Sequence, residues 1–288
     1  MEVLCFDDPA AFIAAAGAYL EKDPFSSNVI AVHVDALRAG IRTKGEHEKF
    51  WVVLDAGEAV GLAMHTPPHN IFLSRLSPDA ARVLAASVSA TGRDLPGVSG
   101  EVEAGASFAE AWAQYRGQLS SLVVAMRMYR LGELRRPGNV AGMARLAELA
   151  DLDVVAGWLQ AFHDEADPAA PTLDWRTQAS ERVAARQLWL WEAGGLLTSL
   201  AGLSRPVAGV SRVGPVYTPA QQRRRGYGAA VTAGATAAAL EAGADHVVLY
   251  TDLANPTSNA IYQEIGYTAD HDAAQRRFYS DVGGSVAS

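Results

Sequence analysis

Arg223-Arg224-Arg225-Gly226-Tyr227-Gly228 sits between two segments of opposite character. Before it runs an apolar stretch, Val207 to Val216, ending Tyr217-Thr218-Pro219. After it comes an Ala-rich stretch, Ala229 to Ala242, closed by Gly243. The order reads as strand, short basic loop, helix. A loop that opens a helix leaves several backbone N–H groups without intrahelical partners, and they point at whatever occupies that end. Gly226 and Gly228 have no Cβ, so an anionic group can come close to the backbone there. The three arginines add charge to a place the helix dipole already favours for anions. A phosphate-bearing ligand is the expected occupant.

The spacing is neither the G-x-x-x-x-G-K-[ST] of P-loops nor the G-x-G-x-x-G of a dinucleotide domain. It is R-x-x-G-x-G, and it resembles the acyl-CoA-binding motif [QR]-x-x-G-x-[GA] of the GNAT superfamily of N-acetyltransferases. Downstream, Asn255-Pro256-Thr257-Ser258-Asn259-Ala260-Ile261-Tyr262 and then Gly266-Tyr267 is similar to that family's second segment, an asparagine, a hydrophobic-Tyr pair and G-[FY]. The two motifs stand in the family's order, and the close match covers roughly Val207 to Tyr267. The resemblance implies an α/β (α+β) chain with a mixed, splayed central sheet flanked by helices.

The elements around the motif fit that expectation. Val154–Glu165 and Trp175–Arg186 read as helices with a loop at Asp167–Pro171 between them. Gln187–Glu192 and Leu196–Leu203 read as strands around Gly194-Gly195. Gly214-Pro215 interrupts the strand before the motif, and such a dipeptide marks a bulge or an edge. By the resemblance, a bulge here splays the central strands and frees backbone groups for a pantetheine arm. His246–Asp252 is a further strand, Pro256–Glu264 a helix stopped at Gly266, Tyr267-Thr268 and Arg276–Tyr279 closing strands, and Ser280–Ser288 a small-residue tail.

The first half carries a faint echo of the second. Phe50–Gly57 followed by Ala59–Ala63 parallels the hairpin at Leu188–Leu203, and strand Ile71–Leu73 leads into helix Pro78–Ala90. The junction Ser74-Arg75-Leu76-Ser77 lacks glycine, so no CoA is expected there. Arg135-Arg136-Pro137-Gly138 is the candidate boundary, with Asn139–Leu152 the entry to a new unit. Residues 1–135 would be a degenerate GNAT-like or accessory domain without a CoA motif, and 136–288 a GNAT acetyltransferase domain, two such domains in tandem.

Composition sets the outer limits. The chain has 288 residues, 49% of them hydrophobic, which supports packed cores. No apolar run approaches the ~18 residues of a membrane span, and the start, Met1-Glu2-Val3-Leu4-Cys5-Phe6-Asp7-Asp8, lacks a basic secretory leader. A cytoplasmic protein with no membrane partner is the expectation. The net charge of −8 disfavours nucleic acid, whose binding is dominated by phosphate neutralisation. The single cysteine, Cys5, forms no internal disulfide and reads as a small buried hydrophobe in an N-terminal strand rather than a nucleophile. His65 and His69 have i,i+4 spacing, but Pro67-Pro68 between them forbids a helix, so no metal site is expected.

What the resemblance implies for chemistry is acetyl transfer from acetyl-CoA, as co-substrate, to a small-molecule or peptide amine, by direct attack in a ternary complex. Val216, Tyr217 and Thr218 would orient the acyl-pantetheine. Arg223, Arg224, Arg225, Gly226, Tyr227, Gly228 and Ala229 would hold the diphosphate. Asn255 and Asn259 would contact CoA from the neighbouring helix, although Asn255 before Pro256 also reads as a helix N-cap. Tyr262 occupies the place of the tyrosine that protonates the CoA sulfur, and an ordinary phenol, with a pKa of ~10, carries its proton at neutral pH. A base for the substrate ammonium is harder to find. Glu165 and Glu192 are the two candidates, His163 and Asp164 being neighbours of the first. Trp175, Trp189 and Trp191 suit a pocket wall or a core equally. A non-catalytic acyl-CoA-binding regulatory module is the competing reading, kept open by the missing base.

Overall fold

The computed structural model describes residues 1–167 and 171–280. Pro168–Ala170 of the expected loop and residues 281–288 of the expected tail lie outside the described residues. The first half runs β1 (Glu2–Phe6), α1 (Pro9–Lys22), α2 (Asn28–Arg38), β2 (Lys49–Asp55), β3 (Glu58–His65), β4 (Ile71–Leu73), α3 (Pro78–Ala90), β5 (Gly97–Glu101), α4 (Val102–Arg116) and β6 (Gln118–Leu131). The second half runs β7 (Met143–Leu146), α5 (Leu152–Ala166), α6 (Trp175–Ala184), β8 (Leu188–Ala193), β9 (Leu196–Leu203), β10 (Val210–Tyr217), α7 (Tyr227–Glu241), β11 (His246–Asp252), α8 (Pro256–Glu264) and β12 (Tyr267–Ser280). The same order of strands and helices occurs twice. The tandem arrangement that the short hairpin echo hinted at extends through the whole chain.

The chain divides into two compact units, one of Met1–Arg127 with the residues from His271 on, the other of Met128–Asp270. The breaker at Arg135–Gly138 is therefore not where the units part. Gly132 N–H donates to the Gly266 carbonyl at 2.9 Å and Arg135 N–H to the Ile265 carbonyl at 3.0 Å, which binds that stretch to the second unit. Gly266 permits this approach: with φ at +105°, a Cβ on it would lie 1.9 Å from the Glu133 carbonyl oxygen. The two closing strands expected at Tyr267-Thr268 and Arg276–Tyr279 are one strand, β12. Its outer half pairs antiparallel with β5, from Ala273 opposite Glu101 to Arg277 opposite Gly97, and belongs to the first unit.

In the first unit Trp51, Val53 and Ala63 of the sheet meet Leu84, Val88, Phe108 and Trp112 of α3 and α4. Trp112 stacks on Phe278 at 5.7 Å and on Phe108 at 6.0 Å. Cys5 departs from expectation. It is exposed, because β1 lies at the sheet edge, paired on one side with β2. Partial desolvation nevertheless raises its thiol pKa, which disfavours the reactive thiolate.

In the second unit the sheet is covered on both faces. Adjacent β9 residues point opposite ways: Ala201 joins Val213, Val231, Ala235 and Leu249 beneath α7, and Leu200 joins Val155, Leu159, Ala179 and Leu190 beneath α5 and α6. The alanines of α7 bring its axis close to the strands. A Cβ on Gly234 would lie 2.5 Å from the Ala144 Cβ of β7. Its two buried threonines return their hydroxyls to the helix, Thr232 to the Gly228 carbonyl at 2.8 Å and Thr236 to the Thr232 carbonyl at 2.7 Å. Such internal satisfaction removes the penalty of burying those hydroxyls, about 1–3 kcal/mol each when unpaired.

Candidate functional site

β10 delivers the site, and its irregularity has a defined geometry. Against β9 the register runs Val213 opposite Leu203, then Val216 opposite Ala201, so Gly214-Pro215 inserts an extra residue as a bulge. Against β11 the parallel pairing runs from Val210 opposite His246 to Val213 opposite Leu249 and goes no further. The ladder with β11 ends at Val213, so the last residues of β10 are paired with β9 but have no ladder partner on β11. Gly202 makes the bulge possible, since a Cβ there would lie 2.3 Å from the Gly214 carbonyl oxygen.

Val216, Tyr217 and Thr218 end the strand, and Arg223 to Gly226 form the loop into α7. Arg224 adopts φ +63° and Gly226 φ +81°, two left-handed residues that turn the chain into the helix. A Cβ on Gly226 would also meet Val140 Cγ2 at 2.9 Å. Gly226 is the N-cap and offers no side chain. The first helical bond is Ala230 N–H to the Gly226 carbonyl at 3.0 Å. The N–H groups of Tyr227, Gly228 and Ala229 before it have no acceptor within the helix. Gly228 faces Thr218, whose Oγ1 would lie 3.3 Å from an added Cβ. Ser199 of β9, not foreseen from sequence, fixes this corner: its hydroxyl donates to the Tyr217 carbonyl at 2.9 Å and lies 2.8 Å from Thr218 Oγ1. The polar Thr198-Ser199 pair inside an apolar strand was the available signal.

Arg223, the first motif position, folds back over this corner. Its Nε donates to the Thr218 carbonyl at 2.9 Å, and its terminal nitrogen contacts both carboxylate oxygens of Glu165 at 2.8 and 2.7 Å. Its guanidinium carbon lies 5.9 Å from the centre of the Tyr217 ring. Tyr217 Oη points to Glu165 Oε1 at 3.4 Å, and its ring lies 6.4 Å from that of Trp158 on α5. Burial, then the Glu165 charge, raises the Tyr217 phenol pKa. The structure thus gathers Tyr217, Thr218, Arg223, Gly228 and Glu165 at one place. Arg224 and Arg225 are exposed beside it.

Other expected residues are placed differently. Glu192 is held by Arg145 of β7 at 2.7 Å, and that arginine also grips Asp151 at 2.7 and 2.9 Å. Those partners raise the Arg145 pKa, and the same hydrogen bonds lower that of Asp151. Glu192 belongs to this edge network, not to the Glu165 group. Asn255 caps α8, accepting from Ser258 N–H at 3.0 Å. Asn259 spends its amide on the Asp252 and Asn255 carbonyls at 2.8 and 2.7 Å and accepts from Tyr129 at 3.1 Å. Tyr262 is buried in the α7 core cluster, edge-on to Tyr267 at 6.3 Å. Burial pushes its phenol up to about 12, opposed by a hydrogen bond with Ser258. Trp189 and Trp191 pack on the same cluster. Trp175 stands 4.7 Å from His163, and both have a buried ring nitrogen without a partner.

The corresponding corner of the first unit is closed. Leu76, in the junction between β4 and α3, sits against Gly61, whose Cβ would lie 2.0 Å from Leu76 Cδ2. Arg75 is tied by its carbonyl to Tyr19 Oη at 2.7 Å and by its N–H to Ser26 Oγ at 2.9 Å. Ser77 caps α3 through Ala80 N–H at 3.3 Å. Side chains occupy the place where the second unit presents bare amides.

Comparison with known proteins agrees with the fold. Residues 199–278 match the family model described as FR47-like protein. No curated protein matches the sequence at a significant level. Among solved structures, the chain is similar to a GCN5-related N-acetyltransferase from Sphaerobacter thermophilus, at TM-score 0.61 and 15% identity, covering 96% of this chain and 95% of the other. A tandem GNAT protein from the clavulanic acid biosynthesis pathway superimposes at TM-score 0.57 and 14% identity over 99% and 100% of the two chains. A Drosophila protein reaches TM-score 0.70 at 12% identity over 96% and 98%.

Proposed function

This chain has the GNAT acetyltransferase fold in tandem, and we propose that its second copy transfers an acetyl group from acetyl-CoA to an amine. The observation that carries the reading is the glycine-capped N-terminus of α7, with unpartnered amides and three arginines, set behind the bulged end of β10. The amides of Tyr227 to Ala229 and the arginine loop would hold the diphosphate. The free edge of β10 past Val213 would pair with the pantetheine amides.

In the transfer, a neutral amine nitrogen would attack the thioester carbonyl, the carbon–sulfur bond would break, the nitrogen would give one proton to a carboxylate, and the thiolate would leave as the anion and take its proton from water. Glu165, whose carboxylate lies 3.4 Å from the Tyr217 hydroxyl at the end of β10, is our assignment for the proton acceptor. Tyr262 keeps its proton throughout the neutral range, because its phenol is raised to about 12. A phenol that high is a weaker acid than a thiol of pKa ~8.5. Its role is therefore to donate a hydrogen bond to the sulfur as charge develops, not to surrender the proton outright. No cysteine stands among the residues gathered at the site, and our reading is direct attack by the amine, not an acyl-enzyme.

A second reading, an acyl-CoA-binding module without turnover, has one observation in its favour: both candidate bases are engaged by arginines, Glu165 by Arg223 and Glu192 by Arg145. Calorimetric titration with acetyl-CoA, followed by a thiol-release assay over a panel of amines, tests both. Failure of acetyl-CoA to bind sinks the whole proposal. Binding without transfer to any amine selects the second reading.

A further inference from the structure

Ser199 is fully buried, on the same face of β9 as Ala201, and the proposed transfer assigns it no role. The ladder around it gives it one. Leu203 N–H donates to the Gln187 carbonyl on the β8 side at 2.8 Å. By strand alternation the backbone groups of Ala201 also face β8, and those of Leu200 face β10. Tyr217, the partner of Leu200, therefore turns its carbonyl toward β9. Val216 and Thr218 turn theirs the other way, to the side where the end of β10 has no ladder partner on β11. The Thr218 carbonyl agrees with this, since it accepts from Arg223 Nε of the loop and not from β9. Across a planar trans peptide the N–H points opposite to the C=O. The Thr218 N–H thus faces the same open side, and it has no acceptor among the described residues.

The hydroxyls at the other end of this peptide are wired in one direction. The Tyr217 carbonyl can only accept, and Ser199 donates to it at 2.9 Å. A serine has a single hydroxyl proton. The 2.8 Å contact between Ser199 Oγ and Thr218 Oγ1 is therefore donated by Thr218. One oriented chain results, from the Thr218 hydroxyl to the Ser199 hydroxyl to the Tyr217 carbonyl, and through the peptide to the Thr218 N–H. Hydrogen bonds in such a chain polarise one another, and burial strengthens the effect. Because the chain ends in a carbonyl, it carries no proton away and supplies no base. With its proton committed and its side chain out of solvent, Ser199 is no nucleophile either.

We propose that Ser199 is a positioning residue of the transfer, holding and polarising the Tyr217–Thr218 peptide so that the Thr218 N–H donates to the acetyl carbonyl oxygen. This rests on the acetyltransferase reading and adds a residue to that site. Ser199 touches neither acetyl-CoA nor the amine. It acts through the peptide, as a preset donor for the negative charge that grows on the carbonyl oxygen when the amine attacks. The serine makes and breaks no covalent bond.

The test uses the full chain as wild type, Ser199→Ala, and Ser199→Cys, which keeps a similar side chain with a weak donor. Acetyl-CoA carrying carbon-13 at the thioester carbonyl is bound to each, and isotope-edited infrared spectra read the carbonyl stretch. The wild type is expected to lower its frequency relative to free acetyl-CoA, and both variants to return it toward the free value. Turnover is expected to fall roughly 5- to 20-fold in Ser199→Ala, less than for loss of a whole donor, while calorimetric CoA affinity stays within about 2-fold. A carbonyl frequency equal in wild type and both variants overturns the assignment. So does a parallel loss of CoA affinity and kcat in both variants, which marks a merely structural serine. Should Ser199→Ala fail to fold, Ser199→Cys decides on the same readouts. If the wild type does not bind acetyl-CoA, the acetyltransferase reading falls and this inference with it. If it binds with an unshifted carbonyl, the role of Ser199 falls alone.

Discussion

Glu165→Gln separates the two roles that Glu165 plays. Its carboxylate holds Arg223, and Arg223 in turn covers the Thr218 carbonyl, a group the pantetheine would use. CoA must compete with that contact. The pair is well oriented but open to solvent, with side-chain exposures of 44% and 53%, so the strength of an exposed pair, about 0.2–1 kcal/mol, is the right scale. Removing one negative charge from the neighbourhood of an incoming diphosphate adds a similar amount at low ionic strength, about 1 kcal/mol at 4 Å in water. Together these predict CoA binding roughly 7- to 30-fold tighter in Glu165→Gln, since 1.4 kcal/mol is a factor of ten. Calorimetry at 50 mM and 500 mM salt measures it, and the gain should shrink at the higher salt. Turnover moves the other way. A positioned base is worth about 10²–10⁴-fold, so kcat should fall by at least 100-fold and the acid limb of its pH profile should vanish. CoA affinity unchanged or weakened at low salt would refute the competition argument, and unchanged kcat would refute the assignment of the base.

Gly228→Val should weaken CoA at least 100-fold by calorimetry, because the new side chain must stand against Thr218 Oγ1 and in front of the bare amides. Tyr262→Phe should lower kcat by roughly 10²-fold, the scale of one transition-state hydrogen-bond donor, while CoA affinity stays within about 2-fold. Gly202→Ala should destabilise the second unit by at least ~3 kcal/mol in urea melts, since its methyl would lie 2.3 Å from the Gly214 oxygen. His65 gives the pH dependence. Burial, then the Arg93 charge, lowers its pKa from 6.5 to about 4, and Arg93 lies 2.9 Å from Nδ1. The folded state thus binds fewer protons than the unfolded one, so stability is full above 6.5 and is lost as pH falls from there toward 4. The loss is about 3 kcal/mol at 1.36 kcal/mol per unit. Urea melts from pH 7.5 to 4 should show this fall in the wild type and a shallower one in His65→Gln; parallel curves would dismiss it.

The site was legible where local chemistry is decisive. Arg223 to Gly228 announced a helix N-terminus because glycine at a left-handed turn and unpaired amides are properties of a few consecutive residues. Gly214-Pro215 announced the bulge for the same reason. What escaped depends on partners far away in sequence. Nothing near Cys5 says that its strand lies at a sheet edge. Arg135–Gly138 reads as a boundary until Gly266 is seen to admit the neighbouring chain. Glu165 looks like any exposed carboxylate until β10 brings Arg223 to it. The closing strand reads as two because Asp270-His271-Asp272 breaks its apolar pattern, yet Asp272 is answered by Arg127 at 2.6 and 2.9 Å, a pairing only the fold reveals.

The two compact units have an unusual relation to the order of synthesis. Each closes with chain drawn from the other half, the second beginning within β6 and the first completed by the outer part of β12. A fragment cut at the charged breaker would discard Met128 to Gly132, and with them the Tyr129 hydroxyl that Asn259 and Gln263 share at 3.1 and 3.0 Å. It would also carry Ala273 to Arg277 with no β5 to receive them, a bare ladder edge inviting aggregation. Emerging from the ribosome, the amino-terminal half waits for its last strand until nearly the whole polypeptide has been made.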